Sequence, residues 1–480
     1  MTKRIHLLHT NDIHSFFARM PQVTSCLRRL RKEWTSEQDA CITVDVGDHL
    51  DRSHVITEGS AGLANKKVLK HAQYEVITLG NNELLTLSKE DLYSLYEKVP
   101  YDVVGTNVSE MEGTPRPSWL LRSSIQTRLG VKVGFLGVTI PYQPFYHLLG
   151  WNVEEPFLML PAYVNQLRPE VDVLVLLSHL GLPHDRRIAA EIEGIDLILG
   201  AHTHHLLEEP EKLNQTWIAA AGKFAEHIGH TVIEVGATTH TLLSITGTCY
   251  ASEAEEADKE TVRIIEAEKK SAEENLSSPL VQLNQRLTID WYNESPLGNL
   301  LADGLRRWIG AELALVNAGQ VLDHLEQGKI TRKRIHEICP HPINPCMTVL
   351  TGKQIRETLE ESLLLEFQEK KIKGFGFRGK RLGMLNVSGI DVYYHPEKPP
   401  SQKISHICLG NDTLKDEKMY RVATIDMFTF GIGYLKLKEG KKVDYELPEF
   451  LRDVLSDALQ NPKEIEESYK QRWRVVSKDE

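Results

Sequence analysis

A chain of 480 residues is longer than one hydrophobic core ordinarily serves, so two or three domains are expected. Its 41% hydrophobic and 26% charged residues are the composition of a soluble globular protein. The net charge of −11 argues against nucleic acid as a main partner, because such proteins present a basic face. Cys26, Cys41, Cys249, Cys339, Cys346 and Cys408 are scattered and read as ordinary thiols, not as a disulfide framework. The N-terminus lacks the apolar stretch of a secretory signal, and no run reaches the roughly 18 apolar residues of a membrane helix. The expectation is a cytoplasmic protein with no membrane partner; nothing in the chain sets its oligomeric state.

Short apolar runs at residues 5–9, 41–46, 76–79, 131–138, 171–177 and 195–199 alternate with helical patterns such as 21–34 and 61–71. Strands alternating with helices predict an α/β layered architecture. Residues 231–235 and 241–245 read as a closing β-hairpin. From 252 to 275 nearly every residue is charged or small, which predicts one exposed helix joining two domains. A second pattern follows from about residue 279, with helices at 297–309 and 352–371 and strands at 313–316, 390–394 and 421–425. Gly374-Phe375-Gly376-Phe377-Arg378-Gly379 has the spacing of a dinucleotide-binding loop, but it follows a helix and precedes a strand, the reverse of the required context. As a glycine-rich loop it still offers Arg378 to an anionic substrate.

Chemistry concentrates in the first 205 residues, in Asp12-Ile13-His14, Gly47-Asp48, Gly80-Asn81-Asn82-Glu83, Ser178-His179 and His202-Thr203-His204. Each piece alone has an ordinary reading: Gly-Asp is usually a turn, His179 fits a core histidine, and His202 with His204 fits a polar strand edge. Order and context favour another reading. The pieces sit where strands end, and a mixed set of Asp, His and Asn suits borderline divalent metals such as manganese, zinc or iron. Seven such groups on five loops can hold two ions.

With these pieces the chain resembles the calcineurin-like metallophosphoesterases, and within them the 5′-nucleotidase family. His9-Thr10-Asn11-Asp12-Ile13-His14-Ser15 matches the family's opening motif. Glu294-Ser295-Pro296-Leu297-Gly298-Asn299-Leu300-Leu301-Ala302-Asp303 looks like the signature of its C-terminal substrate domain, followed by Asn317-Ala318-Gly319, Leu350-Thr351-Gly352 and Val387-Ser388-Gly389 in the expected order. The resemblance implies a four-layer sandwich, two β-sheets flanked by helices, over residues 1–250. A linker helix would occupy 251–277, and an α+β substrate domain 278–480. It implies that Asp12, His14, Asp48 and His204 hold one metal and that Asp48, Asn81, His179 and His202 hold the other, with Asp48 bridging. Two such ions activate water and neutralise charge on a phosphoryl group. Asn317, Gly319, Phe428 and Phe430 are the implied substrate contacts in the second domain, beside Arg378.

One motif departs from the family pattern. Gly-Asn-His-Glu with an Asp two positions later reads here Gly80-Asn81-Asn82-Glu83-Leu84-Leu85, so the proton-donating His and its orienting Asp are Asn82 and Leu85. Asn82 can donate a hydrogen bond but cannot transfer a proton. The second domain departs too: Leu322 stands where the family places a substrate-gripping Arg. The resulting expectation is a dinuclear-metal-dependent phosphoric ester hydrolase acting on nucleotides or related phosphate esters, with Asn82 in the catalytic position. Its rival is a catalytically weakened metal-containing protein that binds a nucleotide or other phospho-ligand.

Overall fold

The computed structural model describes residues 2–372, 374 and 376–476; Phe375 of the glycine-rich loop lies outside the described residues. The chain forms two compact units divided between Ala272 and Glu273.

The first unit is built on two sheets laid face to face. One has seven strands, in the order Leu242–Ala251, His227–Gly236, Thr2–Thr10, Asp39–Asp45, Val76–Thr78, Asp102–Val104 and Leu120–Leu121. The other has six, in the order Glu211–Leu213, Thr216–Ala219, Leu197–Gly200, Val173–His179, Val131–Thr139 and Ser123–Arg128. Ile5, Leu7, Ile42 and Val44 of the first sheet pack against Phe135, Val175, Leu177 and Leu199 of the second. Helices cover both outer faces, which gives the expected four layers. The helix Met20–Glu33 shows how: Val23, Cys26, Leu27 and Leu30 fall on one buried stripe, and Arg31 and Lys32 complement the dipole of the last turn. Central strands covered on both faces read as continuous apolar runs, which is why they were legible as strands. The closing hairpin is present as His227–Gly236 paired with Leu242–Ala251, Ile233 facing Ile245.

The central strands of each sheet run parallel, so their C-terminal ends lie along one edge. Thr10, Asp45, Thr78, His179 and Gly200 end strands there. Loops leaving such an edge are where α/β proteins bind ligands.

The charged stretch after residue 252 forms the helix Lys259–Leu276, but it is not a freely exposed helix. Thr261, Glu268 and Ala272 are buried, and Ile264 and Ile265 pack on the core of the first unit. Asp258 fastens its start through Arg28 at 2.7 Å and His71 at 2.9 Å. Sparse apolar residues suffice for docking because ion pairs supply the remaining contacts.

The second unit is α+β. A five-stranded sheet runs Leu385–Ser388, Leu313–Asn317, Met419–Ile425, Pro345–Thr351, Lys441–Tyr445, and a four-stranded sheet runs Asp412–Thr413, Ile404–Leu409, Asp391–Tyr394, Trp473–Val475. The helix Pro296–Ile309 buries Leu297, Leu300, Leu301 and Leu305. The long helix expected over 352–371 is two pieces, Gly352–Ser362 and Leu365–Gln368; the Gln368 amide takes over the Ser362 carbonyl at the break, at 2.8 Å.

Candidate metal centre

Five of the seven candidate ligands sit in left-handed backbone: Asp12, His14, Asp48, His202 and His204 have φ of 50°, 47°, 52°, 69° and 59°. Residues with a Cβ adopt this region at a cost, and it recurs where function demands it. The surrounding backbone enforces it. Asp12 N–H donates to Gly47 O at 3.0 Å, His14 N–H to Asp48 O at 2.8 Å, and Phe224 N–H to Asp12 O at 2.8 Å. Glu83 straps two loops together: its buried carboxylate accepts the N–H groups of Asp48, Gly80 and Leu50 at 3.0, 2.8 and 3.1 Å. Gly80 is required at that contact, since a Cβ there would overlap the Asp48 carboxylate.

The side chains converge on two groups, each with one donor atom per residue and all donors within 4.8 Å: Asp12, His14 and His204, and Asp12, Asp48 and His179. His14 Nε2 and His204 Nε2 are 3.1 Å apart, and Asp12 Oδ1 lies 3.8 and 3.5 Å from them. His179 Nε2 lies 3.4 Å from Asp48 Oδ2 and 4.0 Å from Asp12 Oδ1. Asp12 is the carboxylate common to both groups, while Asp48 Oδ1 accepts the Asn82 N–H at 2.8 Å. The His202 ring stands 5.3 Å from that of His179, its backbone N–H donates to Asp12, and its Nε2 meets the Tyr142 hydroxyl at 3.3 Å.

Two observations show that this donor set fits a cation. His179 Nδ1–H donates to the Val46 carbonyl at 2.8 Å, which fixes the tautomer and leaves Nε2 buried without a hydrogen-bond partner. Asn81 Oδ1 is likewise buried and unpartnered. Orphaned buried acceptors are rare, and beside two buried carboxylates they call for a positive charge.

Burial and close approach shift the protonation of these groups in opposite directions. Burial raises the Asp12 carboxyl to about 6 against the pull of His179 and His14. Burial alone would raise Asp48, but neighbouring His179 and the Asn82 amide hold it well below the usual carboxylate range. Burial would lower His179, yet the Asp48 carboxylate outweighs it and raises the imidazole to about 10, so between the two carboxylates Nε2 carries a proton that a bound cation would displace. His202 and His204 are lowered to about 4 by burial, then by neighbouring imidazoles (His179 and His14), so both are neutral, as ligation requires.

The Asn82 amide nitrogen lies 2.9 Å from His14 Nδ1 and 3.2 Å from the Leu50 carbonyl. In the second unit, Arg378 is exposed and Phe430 is 39% exposed. Phe428 is fully buried edge-on to Tyr434. The Asn317 amide donates to the Leu382 carbonyl at 2.6 Å and accepts from Gln320 at 2.9 Å, and a Cβ on Gly319 would strike the Arg381 carbonyl. These contacts of Asn317, Gly319 and Phe428 all lie within the second unit. Sequence reasoning missed Asn11, whose amide donates to Asp12 at 2.8 Å, and Tyr142. Asn11 lay inside the first motif; Tyr142, sixty positions from His202, carries no spacing signal.

Comparison with known proteins agrees with this site. Residues 5–206 match the calcineurin-like phosphoesterase domain and residues 275–438 the 5′-nucleotidase C-terminal domain. The chain is 34% identical over 458 residues to an uncharacterized metallophosphoesterase of Bacillus subtilis strain 168, YunD, covering 95% of this chain and 99% of that one. It is 23% identical over 466 residues to the 5′-nucleotidase of Rattus norvegicus, covering 83% and 76%. Its fold matches a 5′-nucleotidase precursor from Thermus thermophilus at 21% identity, with a TM-score of 0.60 over 99% of this chain and 100% of that one. The fold and the site together define a metal-dependent phosphoester hydrolase. The chain belongs to the calcineurin-like metallophosphoesterases that carry a 5′-nucleotidase C-terminal domain.

Proposed function

We propose that the first unit holds two divalent ions and hydrolyses nucleotides or related phosphate esters. Asp12, His14 and His204 would hold one ion, and Asn81, His179 and His202 the other; Asp48 would reach both, as the family resemblance implies, with Asp12, the carboxylate common to both groups, beside it. The observation that carries this reading is the orphaned Nε2 of His179, aimed between two buried carboxylates. Ions bound there would supply an activated water and neutralise charge on the phosphoryl oxygens. Manganese, zinc and iron all suit the mixed donors. The chain's own residues position the ions: Val46 sets the His179 tautomer, Asn11 and the His202 N–H hold Asp12, and Asn82 holds His14. No proton donor stands at residue 82, so esters whose leaving group departs unprotonated are the better substrates. The relatives named 5′-nucleotidase support nucleotides as a substrate class. Free cysteines at all six positions support a cytoplasmic location.

The test is hydrolysis of aryl phosphate monoesters and diesters and of nucleoside monophosphates with added manganese. Turnover that chelator abolishes is expected. Complete inactivity, with or without metal, would sink the reading.

A further inference from the structure

A second concave feature lies beside the metal centre in the first unit. A cavity of about 200 Å³ opens between residues 140–142, the start of the helix Pro156–Leu167 and the turn that carries Leu180 and His184. Ile140, Phe157, Leu180 and the ring of Tyr142 form its apolar walls with two prolines, and Glu155 and His184 supply polar groups. The cavity shares a wall with the metal centre. Leu180 directly follows His179, and the Tyr142 hydroxyl lies 3.3 Å from His202 Nε2.

Its lining is held in place. The Arg187 guanidinium lies 3.9 Å from the Phe157 ring centroid, and the His184 ring 6.1 Å from it. His184 Nδ1–H donates to the Leu180 carbonyl at 3.0 Å, which leaves Nε2 as an acceptor when the ring is neutral. A cavity of roughly 150 Å³ admits benzene, and clefts that enclose a drug-sized ligand begin near about 300 Å³. The space therefore matches one aromatic ring with a small substituent. Glu155 at the rim disfavours an anionic group.

We propose that this cavity is a substrate subsite for an uncharged aromatic group esterified to the phosphate at the metal centre. The proposal rests on the phosphoester-hydrolase reading and names its preferred class, aryl phosphate esters. The missing proton donor points the same way: an aryl oxygen leaves without protonation, and a site without a general acid gains most from binding that kind of ester.

Calorimetric binding of phenylphosphonate and methylphosphonate to the manganese-loaded protein tests the subsite without turnover. Hydrolysis of phenyl and methyl phosphate is measured on the same samples. Phenylphosphonate should bind at least tenfold tighter than methylphosphonate. Phe157→Ala, which removes a wall, and Ile140→Trp, which fills the space, should each cut that ratio at least fivefold. A wild-type ratio near one, no binding of either phosphonate, or variants that weaken both ligands equally would overturn the subsite. Hydrolysis without discrimination overturns the subsite alone; discrimination in binding without hydrolysis supports it and overturns the hydrolase reading.

Discussion

Replacing Asn82 by histidine and Leu85 by aspartate should place a general acid at residue 82. The two positions are three apart in the helix Asn81–Thr86, neighbours across one turn, so the new carboxylate can orient the new imidazole. The loop's anchorage survives the change, because residue 82 binds Asp48 through its backbone N–H. The Asn82 amide's contacts with His14 and Leu50 are lost, at about 1 kcal/mol each, and Leu85 gives up its packing on the core of the first unit. General acid catalysis contributes about 10²–10⁴-fold, or about 3–5 kcal/mol of barrier at 1.36 kcal/mol per decade, and the lost contacts bear on folding stability, which is measured separately. The gain falls only on substrates whose leaving group must be protonated. The assay is kcat/KM across phosphate monoesters of rising leaving-group pKa, for the metal-loaded wild type and the double variant. Alkyl esters should accelerate by roughly 10²-fold or more, p-nitrophenyl esters by no more than about threefold, and the leaving-group slope should flatten. Equal acceleration of both classes would refute this account of residue 82. So would no acceleration in a folded variant with wild-type metal content.

Three further outcomes are expected. Burial lowers His9 to about 3 and His230 to about 4, the latter also by its neighbour His6, which stands 2.8 Å away and itself meets Asp39. Both folded pKa values lie below the unfolded one, so their stabilising effect is complete above pH 6.5 and is lost as pH falls toward the folded values. Going to pH 5 should cost the first unit about 2 kcal/mol per histidine, read by denaturant unfolding; a flat profile over that interval contradicts it. Gly319→Ala should destabilise the second unit by about 2 kcal/mol or more, because the new Cβ meets backbone carbonyls of Arg381 and Leu382; an unchanged melting temperature contradicts this. Asp258→Ala removes the acceptor for the Thr261 N–H and the partner of Arg28. It should loosen the helix Lys259–Leu276 by about 1–2 kcal/mol, seen as faster hydrogen exchange over residues 259–272; unchanged exchange contradicts it.

The layered fold was legible because its central strands are buried on both faces and therefore read as unbroken apolar runs that end at the motif residues. The docking of residues 259–272 was not. It rests on Thr261, Glu268 and Ala272 and on ion pairs made by Lys67 and Asp258, none of which leaves an apolar period in the sequence. Asn317, Gly319 and Phe428 have the chemistry of substrate contacts, and amide, small and aromatic side chains serve internal packing equally well, so residue type alone does not separate the two uses; Asn317 and Gly319 meet loop carbonyls and Phe428 the Tyr434 ring. Asn82 was legible as a departure. Its contact with His14 depends on the loops after two different strands meeting, which spacing along the chain does not encode. Tyr142 was hidden for the same reason.

The central claim is a two-ion centre in which Asp48 reaches both ions, and counting bound metal tests it most directly. Equilibrium dialysis of the purified chain against manganese, with metal and protein measured on the same sample, should give two ions per chain for the wild type and at most one for Asp48→Ala. A wild-type chain that binds one ion or none would contradict the account, as would an Asp48→Ala chain that binds two with undiminished affinity.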